Sequence, residues 1–396
     1  MLLVTVSVPG LGPHGGPSHL PVAAAETLAS EAVVVNTRQA ASSSRVLLFT
    51  GDMLVHDAVA ASARRSAGGG GFDFSAMLAD VTEVIRSADL ALCHLEVPLD
   101  PQSSRLRGWP RFSAPAEVAA AIATAGYDGC STASNHSLDR GLSGISETLD
   151  VLDDAGLGHA GTARSPVEAG GEIYDVGGLI VGHIAYSYGF SGAGLLRDQP
   201  WAANVIDADR IISDAARLRR SGTDFVVVSL HWGYEYSRRP SPRQQQLAEV
   251  LLTSPDIGLV VGHHPHVLQP VAEVAGKPVA FSLGNFLSNQ LADCCTARSE
   301  EGAVLLVRVE EEEGEWRVAG MAQIPTWVDR RHGHIITAAL GQAAAGSRYR
   351  SRLQRAAVRT AETLGLEGLS VSDGCRWILG LAPATAQPVD WHWLIE

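Results

Sequence analysis

Ile257-Gly258-Leu259-Val260-Val261-Gly262-His263-His264-Pro265-His266 sets a short apolar run directly against three histidines. A brief run rich in β-branched residues and bounded by glycine reads as a strand buried on both faces. The histidines then fall at its carboxyl end. Four other apolar runs finish in the same way. Val46–Thr50 runs into Gly51-Asp52, and Leu90–Cys93 into His94-Leu95-Glu96. Gly129–Ala133 runs into Ser134-Asn135-His136, and Phe225–Leu230 into His231-Trp232-Gly233. A lone Gly-Asp after a strand is usually a turn, but five such endings in succession are hard to explain as turns. Open α/β sheets bind ligands outside the carboxyl ends of their strands, so these side chains are expected to converge. Imidazole, carboxylate and amide oxygen together suit a borderline divalent ion such as Zn²⁺, Fe²⁺ or Mn²⁺.

Working outward, Ile180–Tyr186 and Val279–Leu283 read as further strands. Amphipathic stretches lie between the runs at Ser75–Ser87, Pro115–Ala125, Ile145–Ala155, Ala208–Arg219 and Arg243–Leu252. Strands alternating with helices imply parallel pairing and an α/β sheet covered on both faces. After Asn285, Gly302–Glu310 and Glu315–Gln323 read as antiparallel strands around an acidic turn, expected to form a second layer. Residues 338–364 are helical and arginine-rich. The organisation expected is a disordered leader over 1–45, a main domain over 46–337 and a helical extension over 338–396.

The 396 residues carry 43 acidic against 30 basic side chains, a formal charge of −13 that argues against nucleic acid or an anionic membrane as partner. Lys277 is the only lysine, which fits G+C-rich coding better than an arginine-built binding surface. No apolar stretch approaches the roughly 20 residues of a membrane span. The early Met1–Val8 run has no basic residue before it, the first being Arg38. A secretory signal needs one, so a cytoplasmic protein is expected. Five cysteines without CxxC spacing argue against a disulfide framework and a cysteine-based zinc site. Cys93 and Cys130 read as small core residues, and the Cys294-Cys295 pair is a candidate for redox chemistry.

Gly51-Asp52, Leu95-Glu96, Asn135-His136-x-x-Asp139-x-Gly141, His231-Trp232-Gly233-Tyr234-Glu235-Tyr236, Gly262-x-His264-Pro265-His266 and Ser282-Leu283-Gly284-Asn285-Phe286 resemble, in order, the motifs of the CapA poly-γ-glutamate family. That family is a branch of the calcineurin-like metallophosphoesterases, and the resemblance covers about Val46 to Arg331. It implies a four-layer α/β sandwich, with mixed sheets inside and helices on the outer faces. It implies one or two divalent ions (Mn, Zn or Fe), with Glu96 as the bridging carboxylate. Asn135, His231 and His264 would complete one metal site, Asp52 and His266 would belong to the other, and His136 would be the acid/base. There are two departures. Leu54 stands where the superfamily carries a histidine, which leaves the Asp52 site short of a ligand, with His56 as a candidate substitute. Ser137 stands where an acid is expected, and Asp139 is the alternative partner for His136.

The leading function implied is a metal-dependent enzyme acting on a peptide-like or γ-glutamyl polymer by hydrolysis or transfer. A second reading is a peptide Cα-epimerase of a natural-product pathway, using Asp52 and a histidine as proton carriers, with His332 or His334 on the opposite face. A third is a polymer-assembly accessory without chemistry. Biosynthetic partner proteins are compatible with each.

Overall fold

All seven apolar runs are strands in the computed structural model, which describes residues 44–191, 198–290, 294–340 and 346–380. The chain begins with β1 (Ser44–Met53), α1 (Asp57–Ser66), α2 (Ser75–Ser87) and β2 (Leu90–Leu95). A short parallel pair, β3 (Leu99–Asp100) and β4 (Ala114–Pro115), precedes α3 (Glu117–Ala125) and β5 (Gly129–Ser131). Next come α4 (Gly141–Asp154), β6 (Gly158–Ala160), β7 (Glu172–Val176), β8 (Leu179–Ser187), α5 (Ala208–Arg220) and β9 (Phe225–His231). They are followed by α6 (Pro242–Thr253), β10 (Leu259–His263), β11 (Leu268–Val274), β12 (Lys277–Leu283) and β13 (Asn285–Leu287). A hairpin of β14 (Glu301–Glu312) and β15 (Glu315–Asp329) leads to β16 (Ile335–Ala338), α7 (Arg350–Leu364) and α8 (Val371–Ile378).

Two mixed sheets result. One runs β16-β15-β14-β1-β2-β5-β6, with β13 also alongside β1, and the other runs β11-β12-β10-β9-β8-β7. Strand periodicity builds the layers. Leu47, Phe49 and Leu92 on the first sheet meet Val181, Val227 and Leu259 on the second. Their neighbours Val46, Leu48 and Ala91 point the other way, onto Val81 and Ile85 of α2 and Ile122 of α3. On the second sheet Val226, Val228 and Val260 pack against Ile211 and Leu218 of α5 and Leu251 of α6. The order is therefore helix, sheet, sheet, helix, as the resemblance implied. Each fully buried Leu, Ile or Val contributes about 1.5–3 kcal/mol.

Local signals fix the starts of two helices on the second sheet. Ser241 caps α6 in a reciprocal capping box with Gln244, with Pro242 in the first turn, and Asp207 accepts from the Arg210 amide at the start of α5.

Two expectations are corrected. The Gly302–Glu310 and Glu315–Gln323 strands do not make a layer of their own; β14 pairs antiparallel with β1 and extends the first sheet. The long apolar β1 would otherwise expose an unpaired edge, which β14 covers. Cys93 and Cys130 are core residues as expected, but they are also disulfide-bonded, because parallel pairing of β2 with β5 sets them opposite each other with Cα atoms 4.4 Å apart. Cys294 and Cys295 are bonded to one another.

The helices after residue 338 dock onto the sheets. Leu353 and Ala356 of α7 pack with Trp327, Glu301 is paired with Arg359, and Trp377 of α8 leans on the first-sheet core. The leader expected over 1–45 lies almost entirely outside the described residues. No helix among the described residues is long and apolar enough to cross a membrane.

Candidate metal centre

Each expected ligand sits at or just after a strand's carboxyl end, and the two sheets bring these ends together. Asp52 lies near the end of β1, where its strand also pairs with β13, and Asp52 opposes His94 of β2 in register. Gly51 makes this possible: a Cβ there would meet the Gly284 carbonyl at 2.1 Å, and the Asp52 amide donates to that same oxygen at 2.9 Å. Gly262 is constrained likewise, its missing Cβ being 2.0 Å from the Phe281 carbonyl.

The loop after β10 is strained. His264 and His266 hold φ values of 93° and 56°, a region costing on the order of 1–3 kcal/mol for residues other than glycine. Tyr236, at φ 62°, ties the loop after β9 to it by donating its amide to the Pro265 carbonyl at 2.7 Å. Strain held in two touching loops aims the His264 and His266 rings inward.

One half of the site is Asp52, Glu96 and His266, whose candidate ligand atoms lie within 4.8 Å of one another. His266 Nδ1 is 3.1 Å from Asp52 Oδ2 and 3.0 Å from Asn285 Oδ1, while its Nε2 is 3.6 Å from Glu96 Oε1. All three residues are buried, and neither Glu96 oxygen has a hydrogen-bond partner among the described residues. Burial pushes the Glu96 carboxyl up to about 8. Burial opposes ionisation of Asp52 too, but the His263 and His266 nitrogens, 3.2 and 3.1 Å from its oxygens, hold its carboxyl well below the usual range. His266 is buried as well, yet the neighbouring Glu96 and Asp52 charges raise it to about 9.

The other half is Asn135, His231 and His264. Asn135 Oδ1 is 2.9 Å from His231 Nε2, and its amide nitrogen donates to the Ser191 hydroxyl at 3.1 Å, which turns the oxygen toward the histidine. That spacing fits two donors sharing one ion at about 2.1 Å each. The His231 and His264 rings are 4.6 Å apart, with Tyr188 leaning on His264 at 4.7 Å. Burial holds His231 well below the ordinary imidazole value and lowers His264 to about 3, so both rings are neutral and have lone pairs to offer.

His136 stands beside this set, close enough to influence His264 and His56 electrostatically. Its Nδ1 is 2.7 Å from Asp139 Oδ2, and Phe112 meets its ring edge-on. Asp139 therefore takes the place of the acid missing at Ser137, whose hydroxyl instead closes a turn onto Thr132 and Ser134. Leu54 is buried in the core. His56 does not join any of the three candidate ligand groups; its Nδ1 lies 2.9 Å from the Leu54 carbonyl and 3.2 Å from the Asn289 amide nitrogen, alternative partners of one atom that the tautomer chooses between.

His334 is the expectation the structure does not bring in. Its Nδ1 bonds the Ser62 hydroxyl and its Nε2 the Asn289 amide oxygen, so it ties α1 to the turn before β16. His332 is occupied by Asp329.

Three residues quoted in the motifs but given no role also reach the centre. His263 Nδ1 is 3.2 Å from Asp52 Oδ1, and His94 stacks on His263 at 4.1 Å. Glu235 groups with His264 and His266 from the solvent side. It lines a cavity of about 250 Å³ with Tyr188, Trp232, Tyr234, Arg243 and His264. Their signal was proximity to the ligand motifs; what hid them was that their facing depends on register.

Known proteins resemble this chain in both sequence and fold. A relative named capsule biosynthesis protein CapA, from Bacillus anthracis, is 33% identical over 184 residues, 45% of this chain and 44% of the relative. The PGA biosynthesis protein CapA of Bacillus subtilis is 33% identical over 166 residues, 40% of this chain and 42% of its own. The chain thus spans less than half the length of these relatives. Among solved structures, the calcineurin-like phosphoesterase YfkN of Bacillus subtilis is similar at a TM-score of 0.42 and 13% identity, over 85% of this chain and 99% of that one. A sequence profile described as "Bacterial capsule synthesis protein PGA_cap" matches residues 46–290, and the chain belongs to that family.

Proposed function

We propose that this chain is a metal-dependent enzyme that hydrolyses or transfers a peptide-like or γ-glutamyl substrate. The observation that carries the reading is Glu96, a buried carboxyl whose two oxygens have no hydrogen-bond partner among the described residues and whose one near nitrogen, His266 Nε2, stands 3.6 Å away. Ionising a buried carboxyl with so little compensation is costly, and a divalent cation beside it removes that cost. Glu96, Asn135, His231 and His264 would hold one ion, and Asp52 and His266 would hold a second alongside Glu96. Such an ion, when bound, polarises a substrate oxygen and brings the pKa of its water toward neutrality.

The chain's own residues do the rest. Asp139 fixes the His136 ring through Nδ1, leaving Nε2 to give or take a proton. Tyr188 shields the His231–His264 side from water, and the cavity beside His264 admits the substrate. The relatives' printed names, capsule and PGA biosynthesis, support a γ-glutamyl polymer as substrate class. The Cys93–Cys130 bond would suit a protein that meets an oxidising compartment. The epimerase reading needs a second proton carrier on the opposite face, and His334 has both ring nitrogens engaged elsewhere.

Elemental analysis of purified protein tests the metal, with one to two ions per chain expected and a clear loss in His231→Ala and His264→Ala. Unchanged metal content in both variants would sink the reading. Incubation with γ-glutamyl oligomers, followed by mass spectrometry, tests the chemistry. Shortened or transferred chains are expected, and a metal-loaded protein that leaves them intact would be an accessory instead.

A further inference from the structure

His94 falls within reach of two roles. With Asp52 and His263 it makes a buried group whose ligand atoms lie within 4.8 Å of one another, which suggests a further cation site. Neither nitrogen of His94 is free for that, however. Nδ1 lies 2.7 Å from the Ser131 hydroxyl, and Nε2 lies 3.0 Å from Nδ1 of His231.

We propose that His94 is a positioning residue that holds His231 in the tautomer whose Nε2 lone pair faces the metal. This rests on the metal centre proposed above and adds the group that orients one of its ligands. Hydrogen counting sets the direction. For His231 to bind through Nε2, the edge it turns to Asn135, its proton must sit on Nδ1. That N–H donates to His94 Nε2. A neutral imidazole accepting at Nε2 carries its own proton on Nδ1, and His94 Nδ1 donates to Ser131. The Ser131 hydroxyl then donates to the Cys93 carbonyl at 3.4 Å. Each hydrogen is used once, and the chain ends on a backbone acceptor. The reverse direction also closes, but it leaves a proton on His231 Nε2, pointing where the ion would sit. Binding therefore selects the first direction, and His94 is the group able to accept it.

The fold keeps this ring from turning away. His94 and Ser131 are cross-strand partners on β2 and β5, one rung from the bonded Cys93 and Cys130. One face of His94 is stacked on His263, and the residue is buried. It reaches from the first sheet to a ligand on the second. Partners of this kind around metal-bound histidines change metal affinity about 10–100-fold when removed.

The test uses the full chain. Zinc titration of His94→Ala should show affinity lowered by about 10–100-fold. His94→Gln, whose amide can accept from His231 and donate to Ser131, should recover part of it. The Co²⁺-substituted protein should show a changed visible spectrum in His94→Ala and a near-normal one in His94→Gln. Wild-type affinity and spectrum in His94→Ala would overturn the proposal. If that variant does not fold, ¹⁵N-histidine NMR of the zinc-loaded wild type decides the matter: His94 protonated on Nδ1 supports the chain, and His94 protonated on Nε2 overturns it. A wild type that binds no zinc overturns the metal centre itself and this inference with it. Zinc binding that is lost in His231→Ala but untouched in His94→Ala overturns this inference alone.

Discussion

His136 and Asp139 are three residues apart and form a 2.7 Å contact at the edge of the centre. If His136 moves the proton, His136→Ala should lower turnover by about 10²–10⁴-fold with metal content unchanged. Asp139→Asn should give a smaller loss, because it frees the ring without removing it; steady-state kinetics and elemental analysis on the same samples check both. Glu96 and His266 make a second prediction at this scale, for protein stripped of metal. Both have folded-state pKa values above their unfolded ones, about 8 for Glu96 and about 9 for His266. The folded state therefore binds more protons, and its stability falls as pH rises, for Glu96 from about 4.3 to 8 and for His266 from about 6.5 to 9. The melting temperature of the EDTA-treated protein should drop steadily from pH 6.5 to 9. Saturating Mn²⁺ or Zn²⁺ should flatten that slope, since a cation replaces the protons. An equal slope with and without metal would count against these residues facing an ion.

The α7 helix shows how an element is held by one buried charge. Glu301 of β14 is almost fully buried, and Arg359 of α7 reaches it with Nε 3.0 Å from Oε1, while Arg298 approaches from the other side. Removing Arg359 leaves a buried carboxylate short of its main partner. Arg359→Met should cost on the order of 2–4 kcal/mol, below the upper end for such pairs because the guanidinium is partly in water. Glu301→Gln combined with Arg359→Met should recover much of the loss, and urea unfolding of the double-mutant cycle measures it. That the arginine-rich stretch over 338–364 carries a helix was legible from composition and spacing, though the helix itself begins only at Arg350 and Ala338 belongs to β16. That α7 docks on β14 and β15 was not, because its partner charge lies 58 residues back and faces it only once β14 has paired with β1.

At the scale of the molecule, the two sheets are joined through one shared core and one shared polar seam. The Cys93–Cys130 bond staples β2 to β5 directly beneath the seam. Cys93→Ser with Cys130→Ser should lower stability by about 2–4 kcal/mol, read by calorimetry under non-reducing conditions. It should also loosen metal binding, since His94 and Ser131 occupy the next rung. An unchanged melting temperature would mean that the bond contributes nothing the buried strands do not already supply.

The strand runs, most of the helices and the side chains that gather at the candidate site were legible in the sequence, because burial on both faces forces continuous apolar strands and polar side chains collect at their carboxyl ends. Asp52, Glu96, Asn135, His136, His231, His264 and His266 all come from such endings. Those signals are local. Which strands become neighbours is a nonlocal choice, and the tertiary structure alone made it. It placed the β14–β15 hairpin beside β1, brought Cys93 opposite Cys130 and gave Asp52 its nitrogen neighbours from His263 and His266 despite Leu54. It also turned His94 toward His231 and engaged both nitrogens of His334 with Ser62 and Asn289. The alternation of side chains along a strand says that a residue faces one of two sides; only register and sheet stacking say what waits there.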